Sequence, residues 1–154
     1  MQNKLVRIFT ISSGILFLAT AIAKVVSSFG SARILQNPDP ILMMSFQHVF
    51  WIVGAVELIV AIFCFFDIRC ELQASLVAWL ATSFLIYRLG LVWIGYHRPC
   101  SCLGNLTDAL HIPPQAADTA MKIILAYLLL GSYATLFWLW RQRKKAIPAS
   151  FPAQ

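Results

Sequence analysis

Four apolar stretches, each interrupted by few charges, alternate with short polar intervals along the chain. They cover about residues 8 to 29, 46 to 66, 72 to 96 and 119 to 140. At about 1.5 Å of rise per residue, each is long enough to cross a hydrocarbon core of about 30 Å as a helix. All four far exceed the length of a β-strand and strand signals are absent, so the expected architecture is all-α.

The intervals carry their own signals. Asn37-Pro38-Asp39-Pro40 breaks any helix and marks a loop. Asp67 to Glu71 forms a tight polar turn, and a longer interval after Tyr96 closes at Pro113-Pro114. Pro114 suits the start of a helix, and Asp118 suits its positive end. The pattern predicts one four-helix transmembrane bundle over residues 1–145 and a disordered tail over 146–154. No internal repeat or second domain is visible. Lys4, Arg7 and the small residues around Ala21-Ile22-Ala23 imitate a cleavable signal peptide. The apolar run continues through Val25-Val26, so a retained helix is the expectation.

Composition turns the pattern into a solvent assignment. The 154 residues are 60% hydrophobic and 12% charged, with mean hydropathy +0.76, whereas soluble domains are about a quarter charged. Membrane lipid is the expected surroundings. A net charge of +6 would suggest nucleic acid in a soluble protein. Here the basic residues cluster at the ends of apolar runs, as topology signals do, and no nucleic-acid partner is expected. Lys4, Arg7, Arg69, Arg141, Arg143, Lys144 and Lys145 fall on one side, against Arg33 and Arg98 on the other. That asymmetry predicts both termini in the cytoplasm, in a cytoplasmic (inner) membrane, with the interval after Tyr96 on the extracytoplasmic side.

The chemistry concentrates in that interval, His97-Arg98-Pro99-Cys100-Ser101-Cys102-Leu103-Gly104-Asn105. Two cysteines one residue apart can join only if the backbone bends, because alternate side chains of an extended chain point to opposite faces. Strained or exposed disulfides are the labile ones, and an extracytoplasmic compartment lets them persist. Pro99 and Gly104 make the bend feasible. Thiol-disulfide exchange by Cys100 and Cys102 is the leading reading. A structural cross-link or two small loop residues is the second. A metal site flanked by His97 and His111 is the third, and no metal is expected, because zinc sites usually space their cysteines by two to four residues. Cys64 and Cys70 read as bystanders.

Ionisable residues inside the spans point the same way. Glu57 lies about 16 Å and Arg88 about 12 Å below the extracytoplasmic ends of their helices at 1.5 Å per residue, so a Glu57–Arg88 pair is expected, either structural or functional. Lys24, Arg88, Arg98 and Lys122 all lie toward the cysteine side, where cations stabilise a thiolate. They could equally hold a carbonyl of a membrane quinone or an anionic head group, while Lys24 and Lys122 could simply snorkel. Phe50, Trp51, Trp79, Trp93, Tyr96, Trp138 and Trp140 read as an interfacial belt. No phosphate loop, nucleophile elbow or paired-histidine motif is present.

Over about residues 8 to 140 the chain resembles the DoxX-like membrane proteins, most closely the branch named for the methylamine-utilisation protein MauE. The resemblance rests on Gly14 and Lys24 in the first span, Glu57 in the second, Arg88 late in the third, and a Cys-x-Cys-x-Gly turn at Cys100 to Gly104. Leu103 stands where phenylalanine is common, and Lys122 where arginine is usual. The resemblance implies a redox-associated four-helix protein that works with thioredoxin-like extracytoplasmic partners. Thiol-disulfide exchange is then the expected activity. The alternative is a non-enzymatic membrane subunit or assembly factor for an extracytoplasmic or respiratory protein. A transporter using Glu57 and Arg88 ranks third, since broken helices and repeats are lacking.

Overall fold

The computed structural model describes residues 2–29, 38–66, 69–95 and 113–146. Four helices make up nearly all of them: α1 Gln2–Ser28, α2 Phe46–Phe65, α3 Cys70–Trp93 and α4 Pro114–Ala146. Each contains a window long and apolar enough to cross a membrane. No named strand occurs among the described residues, only an isolated bridge between Pro38 and Ser45. The fold is the expected all-α, four-helix arrangement.

Helix ends differ from the hydropathy boundaries in an instructive way. α1 begins six residues before Ile8, and α4 extends beyond both Thr119 and Trp140. Hydropathy locates the part that sits in hydrocarbon, whereas backbone hydrogen bonding continues into the polar flanks. α3 stops at Trp93, where Ile94 and Gly95 turn the chain, and Gly95 takes a positive φ of 72°. Tyr96 and the expected tail beyond Ala146 lie outside the described residues.

Consecutive helices run antiparallel. Gly14 faces Ala61, Cys64 and Phe65 of α2, while Gly54 faces Ala21, Lys24 and Val25 of α1. Along the other pair, Glu71 meets Arg143, Thr82 meets Tyr133 and Arg88 meets Asp118. α1 packs most extensively on α2 and α3 on α4, with sparser contacts between the two pairs. One end of the bundle therefore holds the end of α1, the start of α2, the end of α3 and the start of α4. We call it the Ser28 end. The opposite, Phe65 end holds the end of α2, the starts of α1 and α3 and the last residues of α4.

An inward stripe explains why these neighbours associate. On α1, Thr10, Ser13, Phe17, Ala21, Lys24 and Ser28 recur at three- and four-residue steps, and all are buried. α2 answers with Phe50, Gly54, Glu57, Ala61 and Cys64. Small residues on facing stripes let helix backbones approach closely, which matters in lipid because apolar association there has no hydrophobic drive. A β-carbon on Gly14 would lie 2.9 Å from Cys64 Cβ, so glycine is required by that contact. Phe17, Val60, Val77, Leu80 and Leu128 fill the centre. Outward-facing Ile8, Ile15, Ile22 and Val26 remain exposed, as suits a lipid-facing surface.

Candidate functional site

Among the described residues, the ion pair with both members buried is Lys24 and Glu57. Lys24 Nζ donates to Glu57 Oε1 at 2.6 Å, and the two side chains are 8% and 1% exposed. Their meeting follows from backbone geometry. A helical side chain leans toward the N-terminus of its own helix, and α1 and α2 run in opposite directions. Lys24 thus reaches down from the level of Gly54, whose β-carbon position lies 3.7 Å from Lys24 Cβ. Glu57 reaches up from about 4.5 Å further along α2 at 1.5 Å per residue. The ammonium also lies 5.6 Å from the centre of the Phe84 ring.

The pair is not internally satisfied. Glu57 Oε2 is buried without a hydrogen-bond partner. The Thr20 hydroxyl, on the same cavity wall, donates to the Phe17 carbonyl at 3.1 Å. Glu57 and Lys24 form part of the wall of a cavity of about 300 Å³. Phe17, Phe50, Leu80, Phe84 and Leu128 supply apolar wall, and Ser83, Tyr87 and Arg88 add polar atoms. Such a space suits a small, mainly apolar ligand held at a few polar points.

A second ionic group closes the Ser28 end between α3 and α4. Arg88 bonds Asp118, and Lys122 Nζ lies 2.8 Å from the other oxygen of the same carboxylate. Two cations share one carboxylate, so the group keeps a net positive charge. At the same end Tyr87 donates to Asp39, which is 1% exposed. Asp39 also accepts from the backbone N–H groups of Ile41 and Leu42 at 2.8 and 2.9 Å. The turn at Asp39 is thereby fastened to α3.

Glu57 and Arg88 line the same cavity but do not pair. The expectation of a Glu57–Arg88 bridge is corrected to two separate pairs, Lys24–Glu57 and Arg88–Asp118. Depth alone suggested the wrong partner, because α1, not α3, is the helix packed closely on α2. Lys24 does not snorkel outward; it faces inward on the buried stripe and is 6% exposed. Lys122 is exposed over about two-thirds of its side chain, 66%. Trp79 sits near the middle of α3 on the cavity wall rather than in an end belt.

Cys100, Cys102 and Arg98 lie outside the described residues, as do His97, His111, Leu103 and Gly104. The segment carrying them joins α3 to α4 at the Ser28 end. Cys64 is a free, buried thiol in α2 and Cys70 a free, exposed one at the start of α3. No group of three or more potential metal ligands exists among the described residues.

Sequence reasoning missed Tyr87, Asp39 and the bridging role of Asp118. Asp39 before Pro40 carries the signature of a side-chain-capped turn, which was legible. Its bond to Tyr87, 48 positions away, was not. Asp118 reads from the sequence as a helix-dipole residue near a start at Pro114; its bond to Arg88, 30 positions away on α3, was not legible.

The family model described as methylamine utilisation protein MauE matches residues 2–141. The chain belongs to the MauE family. The match spans all four helices up to Arg141, so the bundle, the Lys24–Glu57 pair and the Arg88–Asp118–Lys122 group all lie within the MauE region. No curated protein and no solved structure matches the chain. MauE membership together with four apolar helices makes this an integral membrane protein.

Proposed function

We propose that Cys100 and Cys102 form a dithiol/disulfide couple that exchanges with a thioredoxin-like protein outside the cytoplasmic membrane. The observation that carries this reading is the spacing of the two cysteines, one residue apart in the segment between α3 and α4. In the exchange, a thiolate of one partner attacks a sulfur of the other's disulfide, giving a mixed disulfide. The neighbouring thiolate then resolves it, so one chain ends oxidised and the other reduced. The Arg88–Asp118–Lys122 group supports the reading, because its net positive charge belongs to the two helices that flank the segment, and positive charge favours the thiolate. The likeness to the wider DoxX-like proteins belongs to the same proposal.

Sidedness is part of the proposal. With both termini in the cytoplasm of an inner-membrane protein, the Ser28 end and its cysteines face the oxidising side. Labelling growing cells with a thiol-reactive mass tag, with and without reductant, tests the exchange. The Cys100→Ser/Cys102→Ser variant subtracts the tags taken by Cys64 and Cys70. We expect a pair whose oxidised fraction shifts with reductant and with loss of the partner, and a pair locked in one state overturns the reading. In the alternative of an assembly factor, the double variant leaves the partner's disulfide state intact.

A further inference from the structure

The cavity beside Glu57 has properties that packing alone does not require. A buried carboxylate in lipid normally has every oxygen satisfied, since each orphaned polar atom there costs free energy. Glu57 Oε2 is buried and unpartnered, and Glu57 lines a space of about 300 Å³. Beside it, the Lys24 ammonium gives one hydrogen bond to Oε1, although an ammonium carries three donors. Glu57 and Lys24 thus place an acceptor and a donor side by side on a mainly apolar wall to which Ser83, Tyr87 and Arg88 add a few further polar atoms.

Those two atoms select among membrane-soluble ligands. An acyl chain has nothing to offer either of them. An anionic head group would be attracted by Lys24 but repelled by the second oxygen of Glu57, and Arg88 on the same wall is already bonded to Asp118. A neutral ring bearing oxygen satisfies both: a carbonyl accepts from Lys24, and a hydroxyl donates to Glu57 Oε2. Phe17, Phe50, Trp79 and Phe84 also line the cavity and supply ring faces for stacking. We propose that this cavity binds the ring of a lipid-soluble quinone, held as quinone through Lys24 and as quinol through Glu57.

The redox use of the site rests on the thiol-exchange reading above, whereas binding does not. Leu91 of α3 and Met121 of α4 line the cavity, and the segment carrying Cys100 and Cys102 runs between these two residues in the chain. Closing the disulfide from two thiols releases two electrons and two protons. A quinone that takes up both becomes the quinol, and the reverse step reduces the disulfide.

The test uses the full chain purified in detergent, with a short-tailed azidoquinone as photolabel and mass spectrometry to locate the adduct. Saturable labelling of cavity residues, competed by unlabelled decylubiquinone and not by decanol, is expected. Leu80→Trp fills the cavity and should weaken labelling tenfold or more. Glu57→Gln, which removes the carboxylate with little change in volume, should weaken competition by the quinol more than by the quinone and serves if Leu80→Trp does not fold. Cys100→Ser/Cys102→Ser should label as the parent does while losing exchange. Labelling spread over lipid-facing positions such as Ile15 and Val26 overturns the proposal, as does equal competition by decanol, which marks an acyl-chain site. Exchange that persists in a chain with no saturable labelling removes the quinone alone, and labelling without exchange removes the thiol reading alone.

Discussion

Replacing Glu57 by leucine should be among the most damaging single changes in this protein, and replacing Lys24 at the same time should repair it. The two side chains are 8% and 1% exposed and lie 2.6 Å apart. Removing one member of a buried pair strands the other, at a cost of about 3–5 kcal/mol. Removing both, as Lys24→Met/Glu57→Leu, also removes the desolvation of two charges, and such replacements range from neutral to about 1–4 kcal/mol stabilising. With each single costing that much and the double costing nothing, the coupling between the two sites should be about 6 kcal/mol or more. Reversible unfolding in mixed detergent micelles, followed by circular dichroism for parent, singles and double, measures it. A parallel cycle on Glu57 and Arg88 provides the contrast, since these residues share a cavity but take separate partners and should couple more weakly than Glu57 and Lys24. A double variant as unstable as Glu57→Leu alone would refute the pairing. So would strong coupling of Glu57 to Arg88 with none to Lys24.

Further outcomes follow from other contacts. Asp118→Asn should destabilise by about 1–3 kcal/mol, because it weakens a partly buried bridge to Arg88 while Lys122 stays solvated; the same unfolding assay reads it. Arg143→Ala, by contrast, should cost less than about 1 kcal/mol, since its pair with Glu71 is largely exposed. Gly131→Ala should cost about 1–3 kcal/mol by overpacking, because its new β-carbon would lie 2.1 Å from the Phe9 ring. Phe9→Leu in the same chain should restore most of that loss. Tyr87→Phe should cost about 1–3 kcal/mol by leaving the buried Asp39 short of a donor, and Asp39→Asn should lower the penalty.

How legible each part was depended on the length scale of the signal. Span number came from unbroken apolar runs, which physical chemistry ties to bilayer thickness, so the four-helix arrangement could be read directly. Partner choice between buried charges could not. It depends on which helix stripes interlock, and the residues that settle this are small ones: Gly14, Ala21, Gly54 and Ala61 carry almost no hydropathy contrast. Thr10, Ser13, Lys24 and Ser28 on one helical stripe were the available hint that Lys24 faces inward. Reading Lys24 by its distance from the end of the apolar run led instead to an outward, snorkelling lysine.

The corrected pairing changes what the bundle can do at the Ser28 end. A Glu57–Arg88 bridge would have neutralised Arg88 within the cavity and left Lys24 and Lys122 to the lipid boundary. In the observed arrangement, Asp118 draws Arg88 and Lys122 together between α3 and α4, and Tyr87 ties α3 to the turn at Asp39. These bonds fix the stems on either side of the segment that holds Cys100 and Cys102. Lys24, held by only one of the two Glu57 oxygens, leaves the cavity an acceptor and a donor that the protein itself does not use. On the proposed reading, a strained disulfide needs rigid stems to keep its geometry, and an electron carrier from the bilayer needs a polar point inside an apolar space. The two requirements fall to different ion pairs, so the Arg88–Asp118 bridge can be weakened without touching Glu57. Asp118→Asn should therefore alter the oxidised fraction of the cysteine pair more than it alters quinone labelling of the cavity, which Arg88 also lines.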